Sequence, residues 1–211
     1  MCIVNVSEIF ESLQGESSYA GLPCFFVRLS GCNLRCRYCD TKYAYKSGKE
    51  TEIGEIVKLC RKSRAVIVEI TGGEPLLQTG FSSLARALRE KSGKKVLVET
   101  NGSCDISLIP EKVVAVMDVK CPGSGECLRF DLGNLKKLRK YDEIKFVIGS
   151  RADYVWAKSF LIKHRVQKRC NAVLFSPVFG KIKPEQIGEW IVRDGLPVRL
   201  QIQLHKLTGV K

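Results

Sequence analysis

The chain has 211 residues, 45% of them hydrophobic and 27% charged, with no apolar run near the roughly 20 residues of a membrane-spanning helix, so it reads as one soluble domain over residues 1–211. Nothing at the N-terminus has the basic-then-apolar pattern of a secretory leader, which places the expected location in the cytoplasm. A net charge of +13 invites a nucleic-acid reading, but the Lys and Arg residues are scattered and no helix-turn-helix, zinc-finger or aromatic RNA-binding signature accompanies them; an anionic small substrate accounts for positive charge equally well.

Short, β-branched apolar runs predict buried strands at 25–29, 66–70, 96–99, 113–117, 144–148, 172–175 and 198–202. Between them, apolar residues spaced by three and four predict helices over 53–62, 81–91, 152–163 and 184–192. Strands alternating with helices imply a mostly parallel α/β sheet. Polar or glycine-rich clusters follow the strands: Ser30-Gly31-Cys32, Thr71-Gly72-Gly73-Glu74-Pro75, Thr100-Asn101-Gly102, Asp118-Val119-Lys120, Ser176-Pro177 and Gln203-Leu204-His205. In a parallel barrel or open α/β sheet the carboxyl ends of the strands form the active-site rim, so the candidate chemistry converges on one face.

Ten cysteines in a chain bound for a reducing compartment point to metal or redox chemistry before disulfides. Cys32-Asn33-Leu34-Arg35-Cys36-Arg37-Tyr38-Cys39 sets three thiols in one loop directly after the first apolar run. Three thiolates suit a [4Fe-4S] cube better than structural zinc, which wants a fourth ligand that no nearby Cys or His supplies. One iron is then left open to a small molecule. Of the other cysteines, Cys121 and Cys127, with Cys104 or Cys170, are candidates for an auxiliary cluster, but their irregular spacing favours free thiols packed as small apolar residues.

This spacing resembles the radical S-adenosylmethionine superfamily. The resemblance implies a partial (β/α) barrel of mostly parallel strands with reduced helical decoration, since 211 residues fall short of a full eightfold barrel. It also implies that S-adenosylmethionine chelates the open iron and is cleaved to a 5′-deoxyadenosyl radical, with the protein positioning and shielding the chemistry. Gly73 and Glu74 are implied to receive the methionyl group, glycine allowing close backbone approach. Asp118, Val119 and Lys120, with Asn101, Ser176 and Tyr38, are implied to face the rest of that cofactor.

Within the superfamily, Glu8-Ile9-Phe10-Glu11-Ser12-Leu13-Gln14-Gly15-Glu16, Gly21-Leu22-Pro23, Phe26-Val27-Arg28-Leu29-Ser30-Gly31-Cys32-Asn33-Leu34, Cys39-Asp40-Thr41 and the late Gln203-Leu204-His205-Lys206 resemble the 7-carboxy-7-deazaguanine synthase family. That resemblance implies ring contraction of 6-carboxy-5,6,7,8-tetrahydropterin to 7-carboxy-7-deazaguanine with loss of ammonia, feeding 7-deazapurine (queuosine or archaeosine) synthesis. It implies a pterin pocket lined by Leu13, Gln14, Gly15 and Glu16, and Arg28 paired with the pterin carboxylate. Thr71, His205 and Lys211 are implied to face substrate, and Thr41 to give a hydroxyl oxygen to Mg2+. A homodimer and an electron donor such as flavodoxin or ferredoxin come with the same resemblance. Ser17 stands where the family often has a second glycine, and Tyr38 where many relatives carry tryptophan. The alternatives are an activating enzyme that installs a glycyl radical on a partner protein, which needs no pterin pocket, and an RNA-binding module with a structural metal, which an anaerobic iron and sulfide count separates from both enzymes.

The cysteine reading has a direct check. Cys36→Ala should lose the brown colour and the activity together, since two thiolates do not hold the cube in competent form, whereas Cys121→Ala and Cys127→Ala should leave iron content unchanged. Iron and sulfide analysis after anaerobic reconstitution reads both; full iron in Cys36→Ala would overturn the ligand set.

Overall fold

The computed structural model describes residues 3–46 and 48–210. Among them the chain builds one nine-stranded sheet in the order β3-β1-β2-β4-β5-β6-β7-β8-β9. The strands are β1 (Ile3–Leu13), β2 (Pro23–Leu29), β3 (Lys49–Glu52), β4 (Ile67–Gly72), β5 (Lys95–Thr100), β6 (Val114–Asp118), β7 (Glu143–Ile148), β8 (Ala172–Pro177) and β9 (Arg199–Leu200). From β2 through β9, β3 aside, every neighbouring pair is parallel; β1 runs antiparallel to both β2 and β3. The expected mostly parallel α/β sheet with sparse helices is the fold found.

The helices are α1 (Ile53–Lys62), α2 (Phe81–Lys91), the short α3 (Asn134–Lys137), α4 (Arg151–His164), α5 (Pro184–Asp194) and the short α6 (Leu204–Thr208). In α1 the buried residues are Ile53, Ile56, Val57 and Cys60, and in α2 they are Phe81, Leu84, Ala85 and Leu88. These spacings of three and four put one stripe of each helix against the sheet. Ser150 caps α4 by accepting from the Asp153 amide at 3.2 Å, and Pro184 opens α5, where its missing N–H costs nothing.

Two strands lay outside the sequence reading. β1 mixes Val4 and Val6, both buried, with the half-exposed Ser7 to Leu13 stretch, and its alternation was obscured by the motif it carries. β3 is Lys-Glu-Thr-Glu, which has no strand propensity of its own; pairing with Ile3 to Val6 makes it, and its charges suit an exposed edge. The last expected strand, 198–202, shortens to two residues.

Register decides what faces what. The pairings Phe26↔Glu69, Arg28↔Thr71, Glu69↔Leu97, Glu99↔Val116, Val116↔Glu143 and Asp118↔Lys145 align a row of polar and charged residues across one face. The alternate residues, Val27, Val68, Ile70, Val96, Val98, Ala115, Ile144 and Phe146, point the other way into the main core with the helices. Beneath the polar row, Cys24, Phe26, Ile67, Leu97 and Val114 form a small separate apolar cluster with Phe10, Tyr19 and Tyr141.

Candidate active site

Two adjoining clefts open on the polar face. The first, about 170 Å³, is lined by Cys32, Cys36 and Cys39 together with Tyr38, Gly72, Gly73, Asn101, Asp118 and Lys120. The second, about 130 Å³, is lined by Leu13 to Ser17, Phe10, Phe26, Glu69 and His205. Glu16, Arg28, Asp40, Thr41, Thr71 and Glu99 border both.

The three thiols sit on a loop held at several points. The Cys39 amide donates to the Cys36 carbonyl (3.1 Å), the Arg37 amide to the Ser124 carbonyl (3.0 Å), and the Arg35 amide to Glu126 Oε1 (2.7 Å). Burial pushes the Cys36 thiol up to about 11 and the Cys32 thiol upward as well, so both need an electropositive ligand to sit there as thiolates. Among the described residues, no three Cys, His, Asp or Glu side chains are drawn together tightly enough to grip a single metal ion.

The loop after β4 approaches its neighbours as closely as backbone allows. Gly72 has φ +137°, and a Cβ on Gly73 would stand 2.0 Å from the Gly31 carbonyl oxygen. Only glycine fits either position. Glu74 differs from its expected role. It is fully buried and does not line either cleft: Oε1 accepts from the Leu76 amide (3.0 Å) and the Thr100 hydroxyl (2.9 Å), and Oε2 from the Asn101 amide (2.7 Å). It ties the loop after β4 to the loop after β5, and so places Gly73 and Asn101 side by side. Burial raises its carboxyl, against the pull of those three donors.

Val119 is likewise fully buried, its amide donating to the Lys145 carbonyl at 2.8 Å, so only backbone from this residue can reach a ligand. Asp118 and Lys120 border the first cleft, joined at 2.8 Å. Asp118 Oδ1 and Ser176 Oγ are buried polar atoms with no hydrogen-bond partner among the described residues. Buried polar atoms are nearly always paired, so two orphans on the strand ends beside a thiol-lined cleft fit a polar cofactor held there. Tyr38 donates its hydroxyl to the Val147 carbonyl (3.2 Å), and Asn101 Nδ2 points toward Cys32 Sγ at 4.0 Å.

Around the second cleft, Arg28 donates Nε to Glu8 Oε1 (2.8 Å), which also accepts from the Tyr43 hydroxyl (2.7 Å). Its guanidinium is thereby braced at the shared boundary of the clefts, 5.7 Å from the centre of the Phe10 ring and 6.0 Å from that of Tyr43. His205 packs its ring on Gly15, where a Cβ would meet Nδ1 at 2.1 Å, and the Leu204 amide donates to the Gly15 carbonyl at 3.0 Å. Thr41 donates to Asp40 Oδ1 (2.9 Å), and Lys206 stands 3.4 Å from Asp40 Oδ2. Burial would raise the Asp40 carboxyl; the Thr41 hydroxyl and Lys206 hold it below its ordinary value. Ser17 takes φ +63°, the left-handed region that favours glycine. Its amide donates to Gln201 Oε1 (2.8 Å) and its hydroxyl accepts from the Tyr19 amide (3.2 Å), which hold a non-glycine residue in that conformation. Lys211, expected beside substrate, lies outside the described residues.

The chain is similar over residues 26–119 to the Radical SAM superfamily. It is 44% identical over 216 residues to the 7-carboxy-7-deazaguanine synthase of Koribacter versatilis, covering 96% of each chain. To the 7-carboxy-7-deazaguanine synthase of Chlorobaculum tepidum it is 45% identical over 207 residues, covering 96% of this chain and 93% of that one. The chain belongs to the 7-carboxy-7-deazaguanine synthase family. The crystal structure of QueE from Escherichia coli shares the fold, with a TM-score of 0.80 and 22% identity over 97% of this chain and 96% of that one. As a member of this radical S-adenosylmethionine family, the chain is an enzyme that uses a [4Fe-4S] cluster and S-adenosylmethionine.

Sequence reasoning did not single out Glu69, Glu99 or Lys145, which the fold brings into the site, nor Gln201, which supports Glu16 there. Lys145 Nζ is buried between Glu16 Oε2 (2.6 Å) and Glu99 Oε1, with Asp118 Oδ2 at 3.8 Å. Gln203 and Gln201 donate to Glu16 Oε1 (2.7 Å) and Oε2 (3.2 Å), and Thr71 donates to Glu99 Oε2 (3.2 Å). The signal was present: a charge inside an apolar strand run, as in Val68-Glu69-Ile70, Val98-Glu99 and Ile144-Lys145-Phe146, is too costly to bury without partners.

Burial alone would strip the Lys145 proton, but Glu16, Glu99 and Asp118 hold it charged well above its ordinary value; burial would raise Glu99, and Lys145 holds it below its own. Glu99, lowered in the fold, contributes stability above the ordinary carboxylate value, and that contribution fades as pH falls through the lower folded value. Lys145→Met should therefore cost about 3 kcal/mol at neutral pH, the lower end for a broken buried pair because Glu99 keeps one side to the cleft. The gap should narrow in acid, where the stranded carboxylates protonate. Urea unfolding of both proteins at pH 7 and pH 4.5 measures it; a gap constant across that range would show that Lys145 acts through packing alone.

Proposed function

We propose that the chain converts 6-carboxy-5,6,7,8-tetrahydropterin to 7-carboxy-7-deazaguanine with loss of ammonia, in the second cleft and against the thiol-lined first. The observation that carries the reading is the shared wall of the two clefts, where Arg28 and Thr71 stand between the three cysteines and the Leu13 to Ser17 loop. A glycyl-radical activating enzyme needs no such second cleft.

Cys32, Cys36 and Cys39 would hold the cluster, with Gly73, Asn101, Asp118, Val119, Lys120, Ser176 and Tyr38 around S-adenosylmethionine. Bound there, the two supply one-electron cleavage and hydrogen-atom abstraction. The chain's own residues do the rest. Arg28, braced by Glu8, offers its free fork to the substrate carboxylate, a match suited to planar guanidinium. Leu13, Gln14 and Gly15 form the wall against which the ring lies, and His205 closes it. Glu16 and Glu99 hold a proton at Lys145 Nζ beside the reacting face. Thr41, with the ionised Asp40 next to it, would give oxygen ligands to Mg2+, a small hard cation that takes one or two protein oxygens and leaves the rest to substrate and water. The single 1–211 domain is proposed to work in the cytoplasm as a homodimer; among the described residues no helix is long and apolar enough to cross a membrane. A net charge of +13 supports an acidic redox protein such as flavodoxin or ferredoxin as electron donor.

Anaerobic incubation with S-adenosylmethionine, dithionite and the carboxytetrahydropterin should produce the deazaguanine chromophore; an intact four-iron protein that makes none would overturn the activity. Arg28→Ala should raise KM about thirtyfold to several hundredfold, about 2–4 kcal/mol for a carboxylate left without its charged partner, at unchanged iron content. Thr41→Val keeps the side-chain shape and removes the oxygen, so it should retain cluster and S-adenosylmethionine binding yet turn over slowly and respond weakly to added Mg2+. A normal Mg2+ response in Thr41→Val would place the cation elsewhere.

A further inference from the structure

Among the buried carboxylates, Glu69 and Glu74 are treated very differently. Glu74 receives three donors. Glu69, in the middle of β4 and at the floor of the second cleft, receives one: Gln14 Nε2 donates to Oε2. No donor reaches Oε1 among the described residues, and the atom is not sealed from the cleft. A carboxylate has about four lone-pair sites, so Glu69 is short of donors by the measure that Glu74 sets. Burial, with Glu99 nearby, pushes its carboxyl up to about 8, as befits an acid whose charged form lacks partners. Its place among Ile67, Val68 and Ile70 of β4 supplies no packing reason for it.

Flat rings line the cleft beside Glu69. Phe10 and Phe26 stack at 4.8 Å between centroids and 10° between planes, and both line the same cleft. Phe26 pairs in register with Glu69, and Arg28 with Thr71. Arg28 therefore stands two residues nearer the mouth than Glu69, roughly 7 Å along the strand at about 3.3 Å per residue. Lengthened by the step to the next strand, that separation matches a bicyclic ring carrying a carboxylate at one end and hydrogen-bond donors at the other.

We propose that Glu69 is the residue that selects the 2-amino-4-oxopyrimidine edge of the substrate, its two oxygens accepting from the ring's adjacent N3–H and 2-amino groups while Arg28 takes the carboxylate at the opposite end. The proposal rests on the pterin reading of the cleft and deepens it. Two neighbouring N–H donors on a planar ring meet a carboxylate in the same parallel, two-point fashion as a guanidinium does. A 2-oxo ring presents an acceptor where the amino group was, and faces the Glu69 oxygens with a repulsive pair. Gln14 then acts as the positioning residue, holding Oε2 so that the carboxylate plane lies in the ring plane.

The test is binding of 6-carboxypterin and of 6-carboxylumazine, its 2-oxo counterpart, to the anaerobically reconstituted enzyme, beside turnover of the carboxytetrahydropterin. Wild type should prefer the amino compound by about a hundredfold, since a site built to receive a donor strongly rejects the analogue lacking it. In Glu69→Gln, whose amide can donate to the 2-oxo group, the preference should shrink to within about threefold at unchanged iron content. A merely structural Glu69 would weaken both compounds equally and leave the ratio standing, which overturns the proposal. Wild type that turns over substrate but binds the two compounds alike overturns it too, whether or not the variant folds, and leaves the activity intact. Wild type that binds neither and makes no product overturns the activity and this proposal together.

Discussion

The ammonium of Lys145 is the constraint around which this molecule is arranged. A lysine buried inside a parallel sheet must either lose its proton or find anions, and three parts of the chain supply them: Glu99 from β5, Asp118 from β6 and Glu16 from the loop after β1. Glu16 in turn accepts from Gln201 and Gln203, beyond β9. The sheet is open, with β3 at one edge and β9 at the other, yet this chain of contacts draws the N-terminal loop onto the far end of the sheet. The clefts exist because that loop is held there. Gly15 to Ser17, beyond the end of β1, have no strand or helix of their own to position them; the charge network and the Leu204-to-Gly15 backbone bond do so.

A second brace works at the strand ends. Glu74 joins the loops after β4 and β5 through two backbone amides and one hydroxyl, and the Glu74 amide itself donates to the Gly31 carbonyl at 2.7 Å, which brings in the cysteine loop. Three loops that would otherwise move independently become one rim. The glycines make the approach possible and the carboxylate makes it permanent, so the resemblance that placed Glu74 beside a ligand found a residue of consequence in a different office. Its neighbours Gly73 and Asn101 are the ones left facing the cleft.

How much of this could be read from sequence follows from how local each feature is. The parallel strands and the four longer helices were legible because apolar spacing is a local property, and α1 and α2 bury the residues their periodicity names. The cysteine loop was legible for the same reason: three ligands within eight residues need no knowledge of the fold. β3 was not, because Lys49 to Glu52 becomes a strand only through its partner. Nor were Glu69, Glu99 and Lys145, which lie on three strands and share a site only once the register puts Arg28 across from Thr71 and Asp118 across from Lys145. Ser17 shows the converse. Its departure from glycine was visible in sequence, but that the position is left-handed, and that Gln201 and Tyr19 hold it so, belongs to tertiary structure.

The inner face also shows what the fold gives up for its chemistry. Parallel strands covered on both sides ordinarily read as continuous Val, Ile and Leu, because a sheet buried on both faces gains from apolar residues on each. Here the outer face obeys that rule and the inner face breaks it at nearly every strand, with Arg28, Glu69, Thr71, Glu99, Asp118, Glu143 and Lys145. Most of these are matched within the fold: Glu99 by Thr71 and Lys145, Asp118 by Lys120, and Glu143 by the Ser18 amide. What stays unmatched among the described residues is Oε1 of Glu69, Oδ1 of Asp118 and Oγ of Ser176, and two of these three residues line a cleft. Buried groups left short of partners raise the free energy of the empty protein, and a ligand that supplies the missing donors recovers it on binding. The same unmatched atoms that weaken the resting fold are therefore the ones best placed to tell one ligand from another.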